Sequence, residues 1–380
     1  MIGLLENEFD LSVVSMTPKD EESKDLAKLR LANNYEIQYK SFFALLAERQ
    51  FFRDVDVFLV WSTPFLQIFA SVLGCYTRKP TLSFVYSYPD VISDFRFRAA
   101  REKISFLLKA NTSANGVSLR ELVTSPPLSM PIIFVTSRLP FLKGILVQSL
   151  QRKHGFVDLG APDKKVQVVK MGIDTQLFCP EQECGAGTTS IRYEKLKIAY
   201  FGPLTTFRGV DTLLRAFRKV KDNHNEVELY LIGRSAKPSS IINSLINELD
   251  LQNEVTVINQ FLSETELINL MQKFDIVVSL LKSSVHAVEP PFIVLEAMSL
   301  GKPVISTQLN GISEIISHKK TGLLVRPNDV DGAVRAIEYV LENKKRGLIM
   351  GKKAREFIVD KHDAKTFLGN LTESIKKAAA

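Results

Sequence analysis

Two short segments of the sequence carry residues that could do chemistry. The first, Leu196–Phe217, reads LKIAYFGPLTTFRGVDTLLRAF. Its apolar opening predicts a buried strand ending at Gly202, then a short loop and a helix with Leu213, Leu214 and Phe217 inward. Ligands of open α/β sheets sit at the carboxyl ends of strands. A helix N-terminus there offers unbonded N–H groups and the positive end of its dipole to an anion. Arg208, just before the helix, would add a fixed positive charge. The chemistry is phosphate binding. Spacing alone also allows a plainer reading, with Gly202 a turn and Arg208 a surface charge.

The second segment, residues 286–305, reads HAVEPPFIVLEAMSLGKPVI. Glu289 and Glu296 flank an apolar, proline-rich stretch. Pro290 and Pro291 cannot sit inside a helix but suit a loop entering its first turn. Glu296 then falls about one turn inside a helix over Phe292–Leu300. A carboxylate facing a cleft from there can accept hydrogen bonds from sugar hydroxyls, although each glutamate alone is also compatible with a solvated surface.

A third segment, Asp94–Ala110, pairs a basic face with an apolar one. Arg96, Arg98, Arg101, Lys103 and Lys109 stand against Glu102, and Phe97, Ala100, Ile104, Leu107 and Leu108 recur at helical spacing. Such a helix suits docking on anionic lipid or a lipid-phosphate acceptor, or packing on a sheet with its basic face in water. Metal ligands are not clustered: the chain has five His and three scattered Cys, and no H-E-x-x-H. One D-x-D, Asp54–Asp56, leads into an expected strand instead of following one.

The elements that must position these residues alternate between short apolar runs and longer amphipathic ones, which predicts parallel sheets with crossover helices. Expected strands in the first half are Leu11–Met16, Val55–Trp61, Thr81–Tyr86, Ile132–Thr136 and Val166–Met171. Those in the second half are Lys197–Phe201, Val227–Ile232, Val255–Ile258, Asp275–Leu280, Pro303–Thr307 and Gly322–Val325. Asp211–Lys221 and Glu264–Lys273 read as helices, and Pro180–Ile191 as a linker. The fold class is therefore α/β, as two Rossmann-like domains facing across a cleft.

The chain's 380 residues can bury a large core without disulfide or metal, and its 45% hydrophobic and 24% charged composition excludes a disordered or fibrous chain. Three cysteines argue for a reducing compartment and against a disulfide scaffold. A net charge of +7 points toward phosphate-bearing ligands, nucleic acid or an anionic membrane surface. No expected sheet surface interleaves aromatic and basic residues, so nucleic acid is set aside. Met1–Leu5 is followed by Glu6, Glu8 and Asp10, unlike a secretory leader. The uncharged stretch Val57–Thr77 reads as a strand and a helix, not a membrane span.

Four segments together resemble the glycosyltransferase family 4 enzymes, which have the GT-B fold. Val168–Pro180, VVKMGIDTQLFCP, resembles the N-G-V-D-x-x-x-F-x-P hinge signature. Tyr200–Phe217 resembles G-R-x-x-x-x-K-G-x-x-x-L-x-x-A-F. Glu289–Met298 resembles E-P-F-G-x-x-x-L-E-A-M, and Asn310–Val325 resembles G-G-x-x-E-x-x-x-x-x-x-T-G-x-L-V. The resemblance implies a retaining transferase that moves a hexose from a nucleotide sugar, a UDP- or GDP-hexose, to a lipid or glycan acceptor. It implies no cofactor and no metal.

By the same resemblance, Glu289 and Arg208 are the catalytic pair, with Glu289 near the donor sugar and Arg208 on the diphosphate. Gly202, Pro203, Arg208, Arg234, Phe292, Ile293, Val294 and Glu296 form the donor site, Glu296 on the ribose. Tyr86, Arg96 and Arg98 lie on the acceptor side. The implied setting is cytoplasmic, peripheral on the inner face of a membrane. The implied layout is an acceptor-side domain over 1–178, a linker over 179–192, a donor domain over 193–350, and helices over 351–380 crossing back.

The departures are specific. Six residues separate the two glutamates where the family usually has seven. Pro203 replaces the family's first diphosphate arginine, and Arg208 its lysine, so one positive charge is missing. Tyr86-Ser87 stands where a histidine is frequent. The first strand and its glycine-rich loop are expected to be missing, through truncation or divergence, because Leu4–Phe9 reads as the end of the helix that follows them. An alternative is therefore a catalytically inactive sugar-nucleotide-binding subunit of a glycosylation complex.

Overall fold

The structure, a computed structural model, describes residues 14–15, 38–39, 55–62, 66–85, 133–181, 183, 196–233, 240–260, 262–282 and 290–380. Strands β1 (Val14–Ser15) and β2 (Gln38–Tyr39) pair in parallel as a separate short ladder.

The first larger sheet has the order β3-β4-β5-β6. Its strands are β3 (Phe58–Ser62), β4 (Thr81–Val85), β5 (Leu142–Val147) and β6 (Val166–Val168), all parallel. Helix α1 (Leu66–Thr77) joins β3 to β4, and α2 (Leu150–Asp158) joins β5 to β6. All five residues of β4 are buried, as expected of a strand covered on both faces. The uncharged stretch 57–77 is thus divided between β3 and α1. No helix among the described residues is long and apolar enough to cross a membrane.

One expected strand is corrected. Over Ile132–Thr136 the described residues, 133–136, are helical, and the strand lies later, at β5. Burial explains the difference: Ile133 and Thr136 are buried while Phe134 and Val135 are exposed, a helical period of three. A short apolar run does not by its pattern distinguish this from a strand. Lys143 and Gly144 hid β5 in the sequence. Lys143 is its one exposed residue, and the Leu82 side chain lies 3.0 Å from where a Cβ on Gly144 would stand.

The second sheet contains β7 (Leu196–Phe201), β8 (Val227–Ile232), β9 (Val255–Ile258), β10 (Ile276–Ser279), β11 (Val304–Thr307) and β12 (Leu323–Val325). Its order is β12-β11-β10-β7-β8-β9, parallel throughout. The crossovers include α3 (Val210–Asn223), α4 (Ser240–Glu248), α5 (Glu264–Gln272), α6 (Phe292–Ser299) and α7 (Asn310–Ile315). Three helices close the chain: α8 (Val330–Glu342), α9 (Lys344–Lys361) and α10 (Ala364–Ala379). The strand order reverses direction between β7 and β10, so a crevice opens at their carboxyl ends.

The two sheets are tied by the end of the chain. The N–H of Ile173 donates to the His362 carbonyl at 2.8 Å, and that of Ala364 to the Ile173 carbonyl at 2.9 Å. Phe367 on α10 meets Phe84 of β4 edge-on at 6.1 Å. Gly172 is required there, since a Cβ would stand 2.7 Å from that of Phe367. Helix α9 runs unbroken through 350 and 351, so the expected division at that point falls inside a helix. On the other side, the Glu314 carboxylate of α7 accepts from the N–H groups of Leu150 and Gln151 at 3.1 and 3.0 Å, at the N-terminus of α2. Cys179 is disulfide-bonded, unforeseen from the sequence, and Cys75 is a free thiol.

Candidate functional site

A pocket of about 350 Å³ opens at the carboxyl ends of β7, β8, β9 and β10, where the strand order reverses. Phe201 at the end of β7 and Gly202, Pro203 and Arg208 of the loop after it line the pocket. Ile232 ends β8 and Gly233 follows it, Gln260 lies beyond β9, and Ser279 ends β10 with Leu281 just after. Leu262 and Leu267 close one side, and Pro291, Phe292 and Ile293 the other.

Backbone contacts fix the loop after β7. Gly202 donates to the Ile232 carbonyl at 2.9 Å, and Gly233 to that of Ile258 at 3.0 Å. The two glycines touch: a Cβ on Gly233 would stand 1.8 Å from the Gly202 oxygen. Tyr200 is buried, and its hydroxyl donates to the Pro203 carbonyl at 2.8 Å. Burial pushes the Tyr200 phenol above its ordinary value, and the Arg208 charge nearby opposes this only in part. The phenol therefore stays a neutral donor that pins the loop.

Arg208 closes a tight turn over Thr206–Arg208, and Gly209 then takes a φ of +74° to start α3. Asp211, in the first turn of α3, pairs with Lys282, whose ammonium lies 2.6 Å from a carboxylate oxygen. The pocket thus combines a guanidinium with a second helix N-terminus, that of α6. Pro291 at the N-cap gives α6 no side-chain cap, and its first turn, Phe292 and Ile293, lies in the pocket wall. Orphan N–H groups at such an end suit an oxyanion.

The sequence-selected residues fare differently. Gly202, Pro203, Arg208, Phe292 and Ile293 converge on the pocket. Val294 does not: its side chain is fully buried in the core, and its N–H donates to the Pro291 carbonyl at 3.0 Å. Glu296 lies one turn further along α6, half-buried and outside the pocket wall. Burial pushes its carboxyl up to about 7, and the carboxylate of Glu264 on α5 adds to the effect. Glu289, Arg234, Tyr86, Arg96 and Arg98 lie outside the described residues, as does the basic segment 94–110. Sequence reasoning missed Ser279, Gln260 and the Lys282–Asp211 pair. Only the position of the first two just at or beyond strand ends could have pointed to them.

Residues 188–357 match the family model described as glycosyl transferases group 1. The chain is 28% identical over 189 residues to an uncharacterized glycosyltransferase of Methanocaldococcus jannaschii, covering 48% of this chain and 46% of that protein. It is 23% identical over 281 residues to the N-acetyl-alpha-D-glucosaminyl L-malate synthase of Bacillus anthracis, covering 72% of this chain and 68% of that enzyme. The chain thus spans about half of the first relative and two thirds of the second. In three dimensions it is similar to Anabaena HepE in complex with UDP-glucose, with a TM-score of 0.70 at 16% identity over 93% of this chain and 89% of that one. The fold is the two-domain α/β arrangement seen in GT-B glycosyltransferases, and within it residues 188–357 match the glycosyl transferases group 1 domain.

Proposed function

We propose that the protein is a retaining, metal-independent hexosyltransferase that uses a nucleotide sugar, a UDP- or GDP-hexose, and acts on a lipid or glycan acceptor. One observation carries this reading: Arg208 and the open N-terminus of α6 meet in a single pocket where the strand order reverses. The solved complex of HepE with UDP-glucose supports a nucleotide sugar as the donor.

In this reading the diphosphate lies between Arg208 and the first turn of α6. As the bond from the anomeric carbon to the diphosphate oxygen breaks, negative charge grows on the leaving nucleotide. A fixed guanidinium and helix end stabilise that charge without reorganising, a contribution commonly worth about 3–4 kcal/mol per donor group. Glu296 takes the ribose hydroxyls, and Glu289 stands beside the donor sugar. Among the described residues, no three His, Cys, Asp or Glu are grouped to hold a metal. The reading places the enzyme peripherally on the cytoplasmic face of a membrane, with Tyr86, Arg96 and Arg98 toward the acceptor.

Release of nucleoside diphosphate from UDP-glucose and a GDP-hexose, followed with lipid and sugar acceptors in EDTA, tests the reading. Glu296→Gln should raise KM with little change in kcat, because ribose contacts are alike in ground and transition states. Glu289→Gln should mainly lower kcat, because contacts near the anomeric centre tighten as positive charge develops there. Donor binding without transfer by the wild-type protein would instead establish a binding subunit. Activity restored only by a divalent cation would overturn metal independence.

A further inference from the structure

We propose that the outward face of α9 docks on an anionic lipid bilayer. The inward face of this helix is fixed: Gly347, Met350, Gly351, Ala354 and Ile358 are buried. Gly351 approaches the end of α6 so closely that a Cβ would stand 2.0 Å from the Gly301 carbonyl oxygen. That contact sets the rotation of the helix about its axis and decides what faces away.

Outward stand Lys344, Lys345, Arg346, Lys352 and Lys353, with Leu348 and Ile349 among them, 68% and 47% exposed. At 3.6 residues per turn, Leu348 and Ile349 flank the line through Lys345 and Lys352. Val359, 43% exposed, lies on the same side further along, beyond the exposed Glu356. No acidic residue interrupts the helix between Lys344 and Arg355; the nearest along the chain are Glu342 and Glu356.

Among the described residues, none of the five cations takes part in an ion pair or a side-chain hydrogen bond. The basic face of α3 is different. There Arg215 pairs with Glu248, Arg218 with Asp222 and Lys219 with Asp331. No large apolar side chain is exposed on α3, whereas α9 presents its charges around bare aliphatic side chains.

An anionic membrane surface rewards both features. Its headgroups attract the cations, while Leu348 and Ile349 enter the boundary between headgroups and acyl chains. The lysine stems cover apolar surface with their ammonium groups at headgroup level. Nucleic acid would engage the cations but gain nothing from Leu348 and Ile349, and a second copy would set like charges against each other. The contact is peripheral and independent of the donor reading, so either can fail without the other.

The test is co-sedimentation with vesicles of phosphatidylcholine alone or mixed with phosphatidylglycerol. The wild-type chain should sediment with the mixed vesicles, less so as salt is raised, and stay in solution with the neutral ones. Leu348→Ser/Ile349→Ser, and separately Lys345→Ser/Lys352→Ser/Lys353→Ser, should each lower partitioning at least about tenfold, given roughly fivefold per cation near such a surface. Unfolding temperatures should not move, since these side chains are exposed. Equal binding to both vesicle types, no binding, or variants that bind like wild type would overturn the proposal. So would self-association or RNA retention that the variants lose while vesicle binding persists.

Discussion

At the scale of single residues, Glu296, the proposed ribose ligand, carries a stability cost. Its carboxyl is pushed up to about 7 by burial first and by the Glu264 carboxylate second. The fold therefore favours the protonated form. Stability from this group is fully present below its ordinary value of 4.5 and is lost as pH rises through about 7. Above that, the charged form costs on the order of 3 kcal/mol at most. Glu296→Gln keeps the neutral shape, so it should raise the unfolding temperature at pH 8 and leave it nearly unchanged at pH 5. Equal shifts at both values in thermal melts would show that Glu296 is not held neutral by its surroundings. Nothing in the sequence hinted at Glu264, because α5 meets α6 only through tertiary packing.

At the scale of elements, the junction of β7 and α3 determines where Arg208 stands. Gly209 has a φ of +74°, and a Cβ there would lie 1.7 Å from the Leu280 carbonyl oxygen. Gly209→Ala must therefore displace either the turn or the end of β10. A loss of about 3 kcal/mol or more is expected in denaturant unfolding, the range of severe backbone and packing defects, with weaker diphosphate binding as Arg208 shifts. Gly369→Ala is the control: nothing lies within 4 Å of its Cβ position, so the exchange should be neutral or stabilise α10 by about 0.5–1 kcal/mol. An unchanged midpoint for Gly209→Ala would contradict the tight junction. This element was legible in the sequence because a buried strand, a glycine and an amphipathic helix follow one another without interruption. Strand β5 was not, since one exposed lysine and one glycine broke a run whose remaining residues are buried.

At the scale of the molecule, two parallel sheets are held by the crossing at Ile173 and His362 and by Glu314 at the N-terminus of α2. The alternation of apolar runs and amphipathic helices revealed the fold class because strands buried on both faces read as continuous apolar stretches. The pocket was only partly legible. Arg208, Gly202 and Pro203 share one loop and could be found together, whereas Ser279, Gln260 and Phe292 come from three other segments that only the sheet order joins. Val294 misled because a residue in the first turn of a helix can face the core, and its N–H turned back to Pro291.

The central claim is that this pocket holds a nucleotide through its diphosphate. Calorimetric titration of UDP, GDP and ADP, each beside its own nucleoside, into wild type and Arg208→Ala tests it most directly. At least one diphosphate should bind the wild type, and Arg208→Ala should weaken it about tenfold or more, the scale of one lost charge-assisted hydrogen bond, while its nucleoside changes little. Absence of any diphosphate binding to the wild type, or equal loss for diphosphate and nucleoside, would contradict the account.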